Sequence, residues 1–275
     1  MLNNADESAT EMATRNGVAI SARSISKQFI TKGGVNQALI PTDFDIAPGE
    51  FVSIVGPSGC GKSTIMLLVA GLLESTSGTI TIDGTELNEP LTDVGIVFQD
   101  DLLLDFRSAR DNILLQGKIR GLPKAQQEKR TDELLKQLGV HEAAGRYPNQ
   151  LSGGMRQRVA IARALVHEPS VLLMDEPFGA LDALTRTQMR LDLERLWMEQ
   201  PKSVLFITHS VEEAVGLSDR VLVMGPSPGR IVKEIVIDLP RPRPVQMGDE
   251  AAFADYAAEI YDIFKELGVI HDAQH

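Results

Sequence analysis

Apolar and polar positions alternate in short runs through the first part of the chain. Gly17 to Phe29, Gln37 to Ile46, Phe51 to Val55 and Thr79 to Ile82 each predict a strand. Turn residues bound these runs, as in Ala47-Pro48-Gly49 and Asp83-Gly84. From about Ser108 to Val166 the pattern becomes helical, with Lys124, Glu128, Lys129 and Glu133 between apolar positions. Apolar strand-like runs return at Val171 to Met174 and Ser203 to Thr208, with a helix from Ala183 to Glu199 between them. In that helix Met189, Leu193, Leu196 and Trp197 recur on one face, which assigns the single Trp to the core. Short apolar strands alternating with helices predict a mostly parallel sheet with helices packed on it.

The ends of the chain read differently. Residues 1–16 contain Asp6, Glu7 and Glu11 and no apolar core, so they predict a disordered tail and not a signal peptide. Residues 17–238 form the main domain, with a helical part at about 100–165, and 239–275 a linker and terminal helix. Pro240, Pro242 and Pro244 predict extended backbone in the linker. Phe253, Tyr256, Ile260, Phe264 and Leu267 then share one helix face, which Gly268 caps.

Composition narrows the functional classes. The 275 residues are 43% hydrophobic and 24% charged, the balance of a globular protein with a core of its own. Cys60 is the single cysteine, so there is no internal disulfide, which suits a reducing cytosol. A net charge of −11 argues against nucleic acid as a partner, because a phosphate tract needs a basic face. The longest uncharged apolar run, Ile65 to Leu73, is about half of the roughly 18–20 residues a membrane helix needs.

The first piece of chemistry is a glycine-rich loop. Gly56-Pro57-Ser58-Gly59-Cys60-Gly61-Lys62-Ser63-Thr64 fits G-x-x-x-x-G-K-[ST], with the strand Phe51 to Val55 before it and the helix-forming Ile65 to Leu73 after it. Such a loop turns successive backbone N–H groups inward around a β-phosphate, and Gly56, Gly59 and Gly61 permit the close approach and the dihedrals this requires. The helix N-terminus adds partial positive charge. Lys62 would neutralise β- and γ-phosphates, and the Ser63 hydroxyl would ligate Mg²⁺. Cys60 reads as a small space-filler at which bulky alkylation would block nucleotide.

Two further segments sharpen this reading. Leu151-Ser152-Gly153-Gly154-Met155-Arg156-Gln157-Arg158 combines an N-cap serine with two glycines that leave backbone N–H groups open at a helix start, an anion-binding arrangement. Val171-Leu172-Leu173-Met174-Asp175-Glu176-Pro177 is an apolar strand ending in two carboxylates, with Asp175 placed to hold Mg²⁺ through water and Glu176 to orient and deprotonate an attacking water.

The octet at 151–158 resembles the ABC signature, with Met155 where many members carry Gln, and it precedes the carboxylate strand at that family's usual interval. The resemblance covers roughly Val18 to Asp238. It implies an α/β fold: a P-loop NTPase of the ABC ATPase type, with a mixed RecA-like sheet core, an antiparallel β subdomain and an α-helical subdomain. It implies ATP and Mg²⁺ as cofactors. Gln99, in Val97-Phe98-Gln99-Asp100, is similar to the family's glutamine that contacts Mg²⁺ and water and senses the membrane partner. Asp182, in Ala180-Leu181-Asp182, resembles the D-loop that crosses to the second subunit, and His209 resembles the switch histidine at the γ-phosphate. Phe29 is the candidate for the aromatic that stacks on adenine. In the family, the signature of one subunit completes the phosphate site of another, so a head-to-tail pair sandwiching two ATP molecules is implied.

The stretch Asp175 to Arg186 resembles ATPases that import nitrate, sulfonates, taurine and similar small solutes. Ser227-Pro228-Gly229-Arg230-Ile231 and Leu239-Pro240-Arg241-Pro242-Arg243 point the same way. That subgroup implies two transmembrane permease subunits, a solute-binding protein as an indirect partner, and a peripheral position on the cytoplasmic face of the inner membrane. One stretch departs from it: Leu104-Asp105-Phe106-Arg107 stands where the subgroup carries a Pro-Trp pair, in the region that faces the permease. The rival reading is an ABC ATPase of translation or DNA maintenance without a transport role. Those types carry tandem modules or long coiled-coil inserts, and this sequence shows one module and no long heptad insert.

Overall fold

The computed structural model describes residues 17–243 and 251–270. The tail expected at 1–16 and Pro244 of the linker lie outside the described residues. The chain runs β1 (Ile20–Thr31), β2 (Gly34–Ile46), β3 (Phe51–Val55), α1 (Lys62–Val69), β4 (Ser77–Ile82), β5 (Thr85–Glu86) and β6 (Val94–Val97). Then come α2 (Ala109–Ile119), α3 (Lys124–Gln137), α4 (Gly153–Leu165), β7 (Val171–Asp175), α5 (Ala183–Glu199) and β8 (Ser203–Thr208). The order ends with α6 (Val211–Leu217), β9 (Arg220–Met224), β10 (Ile231–Val236) and α7 (Ala251–Glu266).

The strands form two sheets. One is antiparallel, in the order β2-β1-β4-β5; the other is six-stranded, in the order β10-β9-β3-β8-β7-β6. In the second, β9, β3, β8, β7 and β6 are mutually parallel, and β10 joins antiparallel at the edge. Every residue of β3, β7 and β8 is buried, as a parallel sheet covered on both faces requires. Side chains of β7 and β8 alternate between two cores. Leu172, Met174, Val204 and Phe206 join the helices α2 to α5, whereas Val171, Leu173, Leu205 and Ile207 join α1 and the antiparallel sheet. A third core unites α6, β9 and β10 with Phe253, Ile260 and Phe264 of α7.

Several sequence expectations are refined. The first two strands extend past Phe29 and start before Gln37, because Lys32 and Gly33 close them into a hairpin whose tip is solvated on both faces and carries no apolar alternation. The helical region resolves into three helices, broken at Gly121-Leu122-Pro123 and again at 138–152. Helix α1 stops at Val69 and does not run to Leu73. The stripe of α5 is buried, and Trp197 stands edge-on to Phe51 at 5.9 Å while its Nε1–H donates to Lys202 O.

The segment Leu239–Arg243, expected as an extended linker, bends at Arg241 and Pro242 and is packed against the domain, not a free spacer. Arg241 lies 4.5 Å over the Trp197 ring and pairs with Glu194 and Asp219. Arg243 is 2% exposed; its backbone N–H donates to the Glu194 carboxylate and its guanidinium to Val215 O and Ser218 O. Burial lowers the Arg243 pKa to about 10, still far above neutral, so it holds the C-terminal end of α6 as a cation. Arg243→Leu would leave those buried carbonyls without donors. The expected loss is about 2–4 kcal/mol of unfolding free energy, read as a lowered denaturant midpoint; an unchanged midpoint would remove the strap from the stability of the fold.

Candidate functional site

The functional edge is built by register. Parallel pairing sets Val55 against Thr208, Asp175 against Ile207 and Val97 against Met174. The carboxyl ends of β3, β8, β7 and β6 therefore converge, and the residues just beyond them are the loop at 56–64, His209, Glu176 and Gln99. A crevice at the carboxyl ends of parallel strands is the usual ligand position in such sheets.

The loop turns into α1 through Gly59 at φ 76° and Gly61 at φ 101°, conformations that an L side chain resists. Gly61 is the N-cap of α1, and its carbonyl accepts the first helical bond from Ile65 N–H. Lys62 is buried. Its Nζ donates to Gly56 O at 2.9 Å and Pro57 O at 3.0 Å and lies 3.8 Å from Glu176 Oε1. A buried ammonium needs such partners.

Opposite the loop, Asp175 is buried and Glu176 partly so, and Glu176 sits at φ 44°, held there while its N–H donates to Ile207 O. Glu176 Oε2 lies 3.1 Å from His209 Nδ1; the carboxylate accepts, which favours the tautomer protonated on Nδ1. Burial raises the Asp175 pKa above the ordinary carboxylate range, and a hydrogen bond from Ser63 opposes that rise. Among the described residues no group of three or more His, Cys, Asp or Glu could cage a metal. The Ser63–Asp175 oxygen pair fits Mg²⁺, which takes few protein oxygens and completes its shell from phosphates and water.

Among the described residues the remaining candidates have no hydrogen bond or ion pair to this cluster. Gln99 is exposed two residues past the end of β6. Ser152 is the N-cap of α4, its Oγ accepting from Met155 N–H at 3.3 Å, and Gly153 is exposed beside it. Gly154 meets α5, where a Cβ would lie 2.6 Å from Thr185 Cγ2. Among the described residues no hydrogen bond or ion pair joins this helix start to the loop at 56–64. Asp182 is exposed and caps α5 by accepting from Thr185 N–H. Phe29 is 36% exposed on β1 opposite Asn36, with the Lys27 ammonium 5.3 Å from its ring centroid.

Sequence reasoning missed a tie between two of these motifs. Arg156 Nε donates to Asp101 Oδ2 at 2.9 Å, and Arg163 donates to Asp101 O and Leu102 O. Helix α4, which starts at the Ser152 cap, is thereby bound to the segment just after Gln99. Both arginines were visible as helix residues, but nothing in their spacing names a partner so far upstream.

A glycine loop at a helix N-terminus, a buried lysine and paired carboxylates at parallel strand ends define a P-loop ATPase. Residues 39–179 match the family profile described as ABC transporter. The chain is 49% identical over 217 residues to the taurine import ATP-binding protein TauB of Rhizobium johnstonii, covering 79% of this chain and 82% of that protein. It is 40% identical over 249 residues to an ABC transporter ATP-binding protein of Methanocaldococcus jannaschii, covering 90% and 92%. A solved dimeric ATP-binding cassette in a post-hydrolysis state with ADP and Pi superposes with a TM-score of 0.72 at 32% identity, over 80% of this chain and all of that one. The chain belongs to the ABC transporter family and has its ATP-binding cassette fold.

Cys60 is fully buried inside the loop, and burial raises its thiol pKa, so little thiolate forms at neutral pH. Alkylation of the native protein is expected to be slow and to become fast on unfolding, with nucleotide binding lost in whatever fraction is labelled. Rapid native labelling, or full ATP binding by the labelled protein, would contradict this placement.

Proposed function

We propose that this chain is the ATP-hydrolysing subunit of an importer for a small solute of the taurine, sulfonate or nitrate kind. The observation that carries the catalytic half is the meeting of Lys62, Asp175, Glu176 and His209 at one sheet edge. The importer half is supported by the likeness to TauB and to the other ATP-binding protein of a transporter. Among the described residues no helix is long and apolar enough to cross a membrane, and the likeness to import ATP-binding proteins supports membrane permease subunits as the partners. The working position is then the cytoplasmic face of the inner membrane, with a solute-binding protein engaged only through the permease.

The geometry of the site indicates how ATP would organise its own hydrolysis. Lys62 is held by two loop carbonyls and by Glu176, and Glu176 is also engaged by His209. Phosphates seated in the loop on the N–H groups of Gly56, Ser58, Gly59, Cys60, Gly61, Ser63 and Thr64, with Pro57 shaping the turn without an N–H of its own, would draw Lys62 toward them. The γ-phosphate would likewise take the His209 donor, so both groups that now occupy the Glu176 carboxylate would move to the substrate. Glu176 would then be free to accept a proton from the attacking water. Mg²⁺ on Ser63 and Asp175, with Gln99 nearby, would neutralise charge on the β- and γ-oxygens.

The helix start at Ser152, Gly153 and Gly154, exposed at Ser152 and Gly153 and unconnected to its own loop, fits the reading that it closes on the ATP of a second copy. Asp182 would lie at the same seam, and Phe29 would face the adenine. The dimeric state of the cassette with ADP and Pi supports this assembly.

Glu176→Gln tests the core of the reading. ATP affinity is expected to hold, turnover to fall by at least about 100-fold, and an ATP-dependent dimer to accumulate on size exclusion. Near-normal hydrolysis would remove Glu176 from its role. Recovery of the native chain with a membrane permease would support the importer, and recovery with ribosomes or DNA would sink it.

A further inference from the structure

The turn between β9 and β10 touches more than its own hairpin. Gly225 N–H donates to Arg230 O, which closes the turn. Gly229 then reaches across to the antiparallel sheet: its N–H donates to Ala38 O at 3.0 Å and its carbonyl accepts from Ile40 N–H at 3.1 Å. This pairing forms a parallel bridge between Gly229 and Leu39 of β2.

The opposite side of Gly229 lies against the phosphate-binding loop. A Cβ at this position would overlap Cys60 O and come within 2.5 Å of Met224 Cε, whereas real Cβ atoms stay about 3.0 Å or more from such neighbours. The wall continues along the loop. A Cβ on Gly56 would lie 2.9 Å from both Cβ and O of Met224, and one on Gly61 would lie 3.0 Å from Ala38 O. Cys60 Sγ packs 3.9 Å from Met224 Sδ. The segment 56–61 is therefore held between β2 on one side and the end of β9 with its turn on the other. A clash with a backbone carbonyl cannot be relieved by a side-chain rotation, so the loop or the turn would have to move.

We infer that Gly229 and Met224 are positioning residues for the phosphate-binding loop. They set where the backbone N–H groups of Gly56 to Gly61 point and, through Ala38, lock the loop to the hairpin that carries Phe29. This rests on the reading of residues 56–64 as the nucleotide site. Neither residue touches substrate; each acts through the loop. Contacts from loop N–H groups to the phosphates are present in the ground state and the transition state alike. Their misalignment therefore weakens binding more than it slows chemistry.

The experiment uses the full chain and four variants: Gly229→Ala, Met224→Ala, Gly145→Ala as a glycine whose Cβ meets open space, and Lys62→Ala. A fluorescent ATP analogue gives Kd, and steady-state hydrolysis gives KM and kcat. Gly229→Ala is expected to raise Kd and KM by about tenfold or more, and Met224→Ala by about threefold or more, with kcat at saturation held within roughly threefold and Gly145→Ala unchanged. A folded Gly229→Ala with wild-type Kd and KM would overturn the inference, as would a fall in kcat alone. Should Gly229→Ala not fold, Met224→Ala with wild-type affinity overturns it. Lys62→Ala separates the two levels: if it binds the analogue as the wild type does, the nucleotide reading of the loop fails, whatever the other variants do.

Discussion

The parallel register of β7 on β8, with Asp175 opposite Ile207, is the constraint on which the functional edge depends. Through it the N–H of Glu176 finds the carbonyl of Ile207, and the Glu176 carboxylate comes within reach of His209 from the next strand and Lys62 from the loop after β3. A slip of β7 by one residue would turn Val171 and Leu173 away from one core and Leu172 and Met174 away from the other. The two hydrophobic cores thus hold the register, and the register assembles the chemistry. The positive φ of Glu176 is the local strain that this edge carries, held in place by the fully buried β7 that leads into it and β8 beside it.

The buried charges at the sheet edge and beneath the C-terminal segment have partners of two kinds. Lys62 is held by carbonyls of its own loop and by the Glu176 carboxylate, and under the proposed function phosphates would replace that carboxylate. Arg241 and Arg243 are satisfied by Glu194, Asp219 and the last carbonyls of α6, a set that nothing in the site competes for. The first arrangement is switchable and the second fixed. The fixed one lies at the far end of the helix that begins just after His209, so the strand-end histidine emerges from a helix clamped at its other terminus.

Two long-range ties give the nucleotide motifs a common frame. Arg156 and Arg163 bind α4 to Asp101 and Leu102, next to Gln99, and Gly229 joins the loop at 56–64 to the hairpin of Phe29. Each tie comes from outside the motif that it supports.

Contiguous chemistry was legible in the sequence. The loop at 56–64, the helix start at 152–154 and the acids at 175–176 are local patterns, since a glycine turn, a helix cap and a strand end each involve neighbouring residues. The helix at 183–199 and the strand at 203–208 were legible as well, because burial of one face imposes a period. The Gly33 hairpin tip, the breaks within 108–166 and the packing of Leu239–Arg243 were not, for they depend on solvent exposure and on partners met only in space. The same holds for Ser63 beside Asp175, Glu176 between Lys62 and His209, and Gly229 against Cys60. A backbone-to-backbone approach leaves no periodic trace in the residues concerned. Sequence therefore determined which groups this protein carries, and tertiary structure decided which of them meet, because only the packed sheet and its cores set distances between residues far apart in the chain.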